Sequence, residues 1–499
     1  MQVRRILGPA IIGLGALAMV GCQTTEGRNP GAAPQTTAVR SSSDQSEADR
    51  AHSDIVARFG GVYGNARVTG YVNQIGQRIA RVSEQPNARW TFTVLDTPTV
   101  NAFATPGGYI YLTRGLVALA GDEAQLAGVI GHEIGHVTAG HSSLRRQRST
   151  TAGLGLLAGA IGLAVLGVDG GVANSLMNVG QTAAGGYLAS FSRGDELDAD
   201  NLGIRYLVRA GYDPYAQADF IERLSASANL QARIAGGQYD PNRVDFFASH
   251  PANALRTRQA IQVAQKQGAV TTVGANRNRD GFLRSIDGMV YGDSAEQGFV
   301  DGRTFSHPKL RFTFTAPPRF TITNSARAVL ARGPSNSRFI MDGDRNRGGR
   351  LSDYIRGVWV PQIARSVRVG QIQGLRDERI NGLEAANAVL PVRLNNRTYD
   401  ALLVAYRLNG NIYRITGLAP RGSGLLPAME GAAWSFRRLS SGEAANLREK
   451  RIDIVPARGG IESMARRMNF REYRVERFRV LNGLRPGEPL PRGSVKIVR

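Results

Sequence analysis

The chain has 499 residues, of which 42% are hydrophobic and 20% charged, a balance that excludes a wholly disordered protein and one embedded throughout in a membrane. Its length predicts two or three domains. The formal net charge of +22 predicts an anionic neighbour; because the arginines are scattered and no nucleic-acid-binding motif stands out, we expect anionic lipid or glycan and no nucleic acid.

Residues 1–22 have the pattern of a bacterial lipoprotein signal peptide. Two arginines precede an apolar stretch, and the MVGC sequence that ends at Cys22 resembles a lipobox, in which the cysteine is lipidated and becomes the mature N-terminus. We therefore expect a membrane anchor at Cys22 in the bacterial cell envelope, facing the periplasm. By analogy with known lipoproteins, Gln23 favours the outer membrane. An ordinary signal peptide with an incidental cysteine is the alternative.

The next two segments differ sharply in composition. Residues 23–48 are rich in Ser, Thr, Pro, Gly and Gln and have almost nothing to bury, which predicts a flexible linker. Residues 49–267 are largely helical in pattern, with strands predicted at 91–95 and at 109–112 after a Pro-Gly-Gly turn. The sequence therefore predicts an α+β fold, in which a mainly helical domain carries a small sheet.

The stretch VIGHEIGH lies on a helix of this domain. His132 and His136 are four residues apart, so their side chains share one helix face and can bind one ion. Neutral imidazoles at this spacing supply two of the three protein ligands of a catalytic zinc. Glu133 is placed to take a proton from a water whose pKa zinc lowers to about 7. We expect one Zn²⁺ per chain; a helix with solvent-facing histidines is the alternative.

Three neighbours of this motif carry further information. Gly131 and Gly135 each cost about 1 kcal/mol in a helix interior, which predicts close approach of another backbone. His141 lies five residues after His136, about 140° around an α-helix and turned away from the metal. We expect His141 to support a ligand or to lie on the surface.

Residues 151–168 carry no charge and reach the lower length limit of a membrane span. Many of them are glycine or alanine. This composition favours a buried or lid-forming helical hairpin over contact with a membrane interface or a true span.

The segment SRGDELDADNLG, residues 192–203, predicts a second helix with Glu196 and Asp200 four residues apart. A carboxylate from a separate helix completes a His-His-Glu site, and a carboxylate one turn further along can orient a ligand imidazole. A solvated acidic helix face is the alternative.

Five motifs then occur in a familiar order: NAFATPGGYIYLTRGL, HEIGH, SRGDELDAD, AGYDP and SHPANALR. Together they resemble the HtpX/BepA-like gluzincin zinc metallopeptidases, a family that includes the prenyl-protein endopeptidases, over about residues 50–265. The resemblance implies a zinc metalloendopeptidase whose metal ligands are His132, His136 and Glu196, with Glu133 as the catalytic base and Asp200 supporting a ligand.

The resemblance also implies two features around the metal. His250 matches a histidine that can approach the zinc and hold the enzyme shut; it can alternatively act as a catalytic group that stabilises the oxyanion. The segment that begins at Asn101 contains an edge strand beside the active-site helix, on which an extended polypeptide pairs by β-augmentation. Such binding favours unfolded or misassembled envelope proteins as substrates, and close backbone approach there would explain the two helix glycines.

The rest of the chain predicts two further units. Residues 275–440 have short alternating strands typical of a β-rich accessory domain of unknown function, in which His307 is isolated and structural. Residues 450–499 predict strand, helix, helix, strand and resemble a LysM repeat, a module that binds peptidoglycan. Gly460-Ile461 replaces the usual Asp-Thr, so no glycan-binding residue is assigned, and a structural cap is the alternative.

Two other functions remain open at this point. One is a non-catalytic periplasmic chaperone or peptidoglycan-associated scaffold with a vestigial zinc site. The intact Glu133 argues against it, because a degenerate site is expected to lose its base first. The other is an integral-membrane protease, which is favoured only if residues 151–168 insert into the bilayer.

Overall fold

The computed structural model describes residues 42–141, 191–234, 250, 254–268, 276–365, 367–394 and 397–499. The predicted signal peptide with Cys22 lies outside these residues, as does the apolar stretch 151–168. Within the described ranges, no helix combines the length and the apolar character that a bilayer crossing requires.

The first part of the described chain is mainly helical and contains a three-stranded sheet, in agreement with the predicted α+β class. β1 runs parallel to β3, and β3 runs antiparallel to β2, so β2 forms one edge of this sheet. The elements are α1 Ser42–Arg58, α2 Ala66–Ala80, β1 Thr91–Leu95, β2 Ala102–Thr105, β3 Tyr109–Thr113, α3 Arg114–Leu119, α4 Glu123–Thr138, α5 Arg193–Arg209, α6 Ala216–Ile234 and α7 Ala254–Gly268.

Helical structure begins before residue 48, where the sequence predicts that the linker ends. α1 starts at Ser42, and Ala48 packs with Leu95 and Tyr109 in a small apolar cluster. The hydroxyl of Tyr109 also donates a hydrogen bond to Asp49. The end of the predicted linker is therefore helical, because a few apolar side chains in a polar stretch are enough to anchor it to the sheet.

One apolar core joins the sheet to α2 and α4. Asp122 caps α4, since its carboxylate accepts a hydrogen bond from the backbone N–H of Gln125 at 2.8 Å, and the helix starts one residue later. The helix that follows α7 in the chain, α8 (Arg279–Ile286), adds Phe282 and Ile286 to the same core. This core therefore continues beyond residue 267, the predicted end of the protease domain.

The region from 290 to 446 is rich in strands, as the sequence predicts. Its largest sheet has the order β11-β13-β14-β15-β10-β9-β8, with β12 also paired to β13. The strands are β4 Val290–Tyr291, β5 Phe299–Asp301, β6 Thr304–His307, β7 Phe312–Thr315, β8 Thr321–Asn324, β9 Ala328–Arg332, β10 Arg338–Arg345, β11 Arg368–Val369, β12 Gln373–Ile380, β13 Leu383–Leu394, β14 Arg397–Leu408, β15 Asn411–Pro420 and β16 Arg437–Arg438.

Helical segments cover this sheet on both faces, so it encloses two apolar clusters. Trp359 is central to one cluster and Phe436 to the other. His307 ends β6 and accepts a hydrogen bond from the backbone of Leu310, which fits the predicted structural role. The helical segments of the region are α9 Leu351–Tyr354, a π turn at Ile355–Trp359, α10 Val360–Ala364, α11 Leu426–Trp434 and α12 Ser441–Asn446.

The last unit has the predicted order of strand, helix, helix, strand. Its elements are β17 Lys450–Pro456, α13 Ile461–Arg466, α14 Arg474–Asn482 and β18 Ser494–Val498. β17 and β18 pair antiparallel, and β17 also pairs with β4.

This unit is joined to the helical first part of the chain through nitrogen donors supplied by both sides. Lys496 on β18 is 1% exposed, and its Nζ donates to the carbonyl oxygens of Ala118 and Ala120, each at 2.7 Å. In the other direction, Arg223 on α6 donates to the carbonyl oxygen of Asn482 at 2.9 Å. Because each side supplies a donor to the backbone of the other, we expect residues 450–499 to stabilise the helical first part of the chain.

We predict that Lys496→Met lowers the free energy of unfolding by about 1–3 kcal/mol, because the buried carbonyl oxygens of Ala118 and Ala120 lose their donor. The midpoint of thermal unfolding, followed by calorimetry, measures the effect. Lys309→Met is the matched control, since Lys309 is exposed and pairs with Glu296 at the surface. Equal midpoints for the two variants would contradict the prediction.

Candidate metal centre

The helices that carry the predicted ligands, α4 and α5, cross in direct contact. A Cβ atom added at Gly203 would lie 3.0 Å from the backbone nitrogen of His132, and one at Gly131 would lie 3.2 Å from Cα of Gly203. A Cβ atom at Gly135 would lie 3.1 Å from Cβ of Leu202. The predicted close approach is therefore confirmed, but it comes from α5. The interpretation that the edge strand explains these glycines is wrong.

This crossing brings two imidazoles and a carboxylate together. Nε2 of His136 lies 3.0 Å from Nε2 of His132, and the carboxylate oxygens of Glu196 lie 3.4 and 3.6 Å from these two atoms. Nδ1 of His250 is 3.1 Å from Nε2 of His132 and 2.9 Å from Oε1 of Glu196. One ligand atom from each of the four side chains lies within 4.8 Å of all the others. The three predicted metal ligands thus meet at one point, with His250 beside them.

The chemistry of this donor set fits a cation. Nδ1 of His132 lies 2.9 Å from Oδ1 of Asp200, so this carboxylate stands on one side of the ring and Nε2 faces the cluster on the other. Burial lowers the pKa of His136 well below its ordinary value, which keeps this imidazole neutral. The lone pairs of the imidazole nitrogens and the negative charge of the carboxylate repel one another unless a cation lies between them. Two neutral imidazoles and a carboxylate are ligands that zinc accepts.

Arg256 and Gln217, which the sequence motifs do not predict as site residues, contact the buried carboxylates of the centre. Nη1 of Arg256 lies 2.7 Å from Oε2 of Glu196, and Nε and Nη2 each donate to Asp200 at 2.8 Å. The side chain of Gln217 on α6 donates to Asp200 at 3.0 Å. Arg256 closes the SHPANALR motif, so its position near His250 in the sequence was the available signal.

These contacts set the charge of both carboxylates. Burial would raise the pKa of Glu196, but the charges of His250 and Arg256 outweigh it and hold this pKa well below its ordinary value. Burial acts in the same direction on Asp200, and Arg256 together with His132 again lowers the pKa below its usual range. Both side chains are therefore anionic at neutral pH.

Glu133 lies on α4 next to His132 and is 2% exposed. Its Oε1 is 3.4 Å from Nε2 of His250, and its Oε2 has no hydrogen-bond partner among the described residues. A carboxylate with a free acceptor thus faces the cleft beside the imidazoles. This is the position that a base acting on a nearby water needs, although its catalytic role stays a prediction.

A cleft beside the edge strand β2 leads to these residues. Asn101 and Ala102 line it on the strand side, and Glu133 and His250 line it on the side of the metal centre. The rest of the lining is mostly apolar and comes mainly from α6, with Val100, Leu116, Val129, Phe220, Ile221 and Leu224 as its apolar members and His132, Gln217 and Arg256 as its polar ones. The cleft therefore connects the edge of β2 to the candidate metal centre along an apolar wall.

His141 is buried, which excludes the surface alternative. α4 ends at Thr138, and Gly140 has a left-handed backbone with φ of +73°, so the chain turns back towards the helix. Nδ1 of His141 consequently lies 2.9 Å from Nδ1 of His136. On another side, the ring of Phe191 stacks on the imidazole of His136 with 3.8 Å between ring centroids, a contact with no signal in the sequence.

Comparison with known proteins supports the resemblance predicted from the motifs. Residues 66–264 match the model described as Peptidase family M48. The beta-barrel assembly-enhancing protease of Escherichia coli (strain K12) is 32% identical over 169 residues, which are 33% of this chain and 34% of that protein. The mitochondrial metalloendopeptidase OMA1 of Schizosaccharomyces pombe is 29% identical over 191 residues, or 38% of this chain and 51% of that protein.

The matches are partial for both chains. This chain spans about a third of the length of the bacterial relative and about half of the yeast one. Among solved structures, cyanobacterial PsbP from Synechocystis sp. PCC 6803 matches with 11% identity and a TM-score of 0.24, over 30% of this chain and 98% of that one. The likeness to known metallopeptidases therefore concerns the segment that carries the metal centre.

We predict that Gly203→Val weakens zinc binding by about tenfold or more, because the added side chain forces α4 and α5 apart and moves Glu196 away from the imidazoles. Titration with zinc against a competing chelator measures the affinity. Gly70→Val is the matched control, since Gly70 is also helical but has open space where a Cβ would lie. Equal affinities in the two variants would show that the close crossing does not set the site.

Proposed function

We propose that this chain, whose residues 66–264 are a peptidase family M48 segment, is a zinc-dependent metalloendopeptidase of the bacterial cell envelope. One observation carries the proposal: side-chain atoms of His132, His136 and Glu196 lie 3.0–3.6 Å from one another, and Glu133 lines the cleft beside them. These residues would hold one Zn²⁺. When bound, zinc supplies a Lewis acid that lowers the pKa of water to about 7 and polarises a carbonyl group.

The side chains of the site divide the reaction between them. Glu133 takes a proton from the attacking water while the water oxygen bonds to the carbonyl carbon of the substrate peptide. As the carbon–nitrogen bond then breaks, Glu133 returns this proton to the leaving nitrogen, so that the products are a carboxylic acid and an amine. Asp200 contacts His132 and Arg256 contacts Glu196, and these two contacts hold the ligands in position.

His250 stands where it can limit this reaction. It lies within 3.1 Å of His132 and within 3.4 Å of Glu133, so it fills the space between the base and the ligands. A fourth side chain there would compete with water for access to a bound Zn²⁺. This position favours the interpretation that His250 holds the enzyme shut over a role in oxyanion stabilisation.

The cleft points to polypeptide substrates. Among the described strands, none pairs with the outer edge of β2, which lies beside α4, and the cleft wall next to it is mostly apolar. An extended polypeptide can pair with this edge while one apolar side chain enters the cleft. Backbone pairing requires little sequence specificity but does require an unfolded segment, so unfolded or misassembled envelope proteins are the proposed substrates.

The proposed location rests on the sequence of the N-terminal part. The lipoprotein signal would place the chain on the periplasmic side, anchored to the outer membrane through Cys22. The name of the Escherichia coli relative, a beta-barrel assembly-enhancing protease, is consistent with a role in envelope quality control. The unit at 450–499 is proposed as a divergent LysM-like module through which the protein contacts peptidoglycan.

We predict that Glu133→Gln keeps zinc at the wild-type ratio but lowers the rate of peptide cleavage by about 10²–10⁴-fold, because the amide cannot accept the water proton. Metal analysis gives the zinc content, and hydrolysis of an unfolded polypeptide such as casein gives the rate. Glu462→Gln, on the exposed face of α13, is the control for loss of a glutamate. Undiminished hydrolysis with full zinc would refute the assignment, and a wild-type chain that binds zinc without cleaving any polypeptide would favour the scaffold alternative.

We predict that His250→Ala raises the cleavage rate at unchanged zinc content, because water gains access to the side of the centre that this imidazole fills. The measurement is the hydrolysis rate of the same unfolded polypeptide at equal enzyme and zinc concentrations. A slower rate at full zinc occupancy would instead assign His250 to transition-state stabilisation.

A further inference from the structure

His136 contacts His141, and His141 in turn contacts Asp198. The proposed reaction gives no role to His141 or Asp198. Nδ1 of His141 lies 2.9 Å from Nδ1 of His136, and Nε2 of His141 lies 3.3 Å from Oδ2 of Asp198. His141 is 1% exposed, whereas the side chain of Asp198 is 41% exposed. These contacts therefore run from the surface of α5 inward to the metal centre.

The positions of the protons follow from the partners. Nε2 of His141 faces the carboxylates of Asp198 at 3.3 Å and Asp195 at 3.9 Å, and it makes no hydrogen bond among the described residues. If His136 binds a metal ion through Nε2, the proton of this neutral imidazole lies on Nδ1, and Nδ1 of His141 at 2.9 Å is the atom that accepts it. This leaves Nε2 of His136 as a lone pair on the side where His132 and Glu196 converge.

The two histidines of the HEIGH motif are thus supported in different ways. Asp200 contacts His132 directly at 2.9 Å, whereas Asp198 reaches His136 only through an intervening imidazole. The acids of residues 195–200 therefore have separate roles: Glu196 lies in the cluster itself, Asp200 contacts His132, and Asp198 and Asp195 face His141 behind His136.

We propose that His141 is a positioning residue that holds His136 in the tautomer with an unprotonated Nε2, and that Asp198 fixes the tautomer of His141 in turn. This inference rests on the proposed function, because it assigns the two residues to the zinc site. Neither residue touches the substrate or the reacting atoms. The expected consequence is a loss of metal affinity, since partners of ligand histidines typically contribute about 10–100-fold.

The test compares three variants of the full chain by zinc affinity, measured with a competing chelator and without substrate. His141→Leu removes the acceptor and is expected to weaken zinc binding about 10–100-fold. His141→Asn places an amide oxygen near the position of Nδ1, so it retains the acceptor and is expected to bind zinc close to the wild-type level. His307→Leu removes a buried histidine far from the site in sequence and is expected to leave zinc affinity unchanged.

Two further readouts separate positioning from folding. The thermal midpoint of the metal-free variants shows whether they fold, and the absorption spectrum after Co²⁺ substitution reports the coordination geometry. We expect a wild-type cobalt spectrum for His141→Asn and an altered one for His141→Leu. Should His141→Leu fail to fold, Asp198→Ala carries the test: weaker zinc binding supports the proposal and unchanged binding overturns it.

Two outcomes would overturn the inference. One is zinc affinity in folded His141→Leu equal to that of the wild type. The other is equal loss of affinity in His141→Asn and His141→Leu, which would show that the acceptor is not what matters. A wild-type chain that binds no zinc is a different result, because it refutes the proposed function itself.

Discussion

The close crossing of α4 and α5 is the constraint on which the metal centre depends. Glycines at 131, 135 and 203 let the two backbones approach so far that a single added Cβ at Gly203 would lie 3.0 Å from a backbone nitrogen. Only at this separation can a short carboxylate side chain on one helix reach two imidazoles on the other. The cost of glycine in a helix interior, about 1 kcal/mol per residue, is offset by the contact that it permits. The glycines of α4 and α5 therefore set the distance between the helices, and this distance in turn sets the positions of the metal-binding side chains.

Burying so many charged groups in one place requires that their charges balance. Arg256 contacts Glu196 and Asp200, and Glu133 lies nearby in the same cleft. Glu196 and Asp200 are both anionic, and the positive charges of Arg256 and His250 beside them hold their pKa values low, so positive charge at this centre is what keeps the buried carboxylates ionised. Without a cation, the desolvation cost of these groups would weigh against folding. We therefore expect the stability of this part of the chain to be coupled to metal binding.

Local patterns in the sequence predict the elements of this site well, and contacts between distant segments account for what they miss. The four-residue spacing in HEIGH and in the downstream acidic motif identifies both helices and the residues that meet between them. The sequence does not predict Arg256 as a site residue, because its pairing with Asp200 depends on a fold that brings two separate helices together. The spacing of His141 predicts a position turned away from His136 only for a continuous helix, whereas α4 ends at Thr138 and Gly140 turns the chain back. The buried contact of Lys496 with the end of α3 likewise joins segments that no short-range pattern connects.

The most direct test of a metal at this centre is anomalous diffraction at the zinc absorption edge from crystals of the full chain grown with zinc. We predict one strong peak about 2.0–2.2 Å from Nε2 of His132, Nε2 of His136 and a carboxylate oxygen of Glu196. A structure without a peak at this point, or one in which Glu196 contacts only Arg256 while zinc lies elsewhere, would contradict the assignment of the metal site.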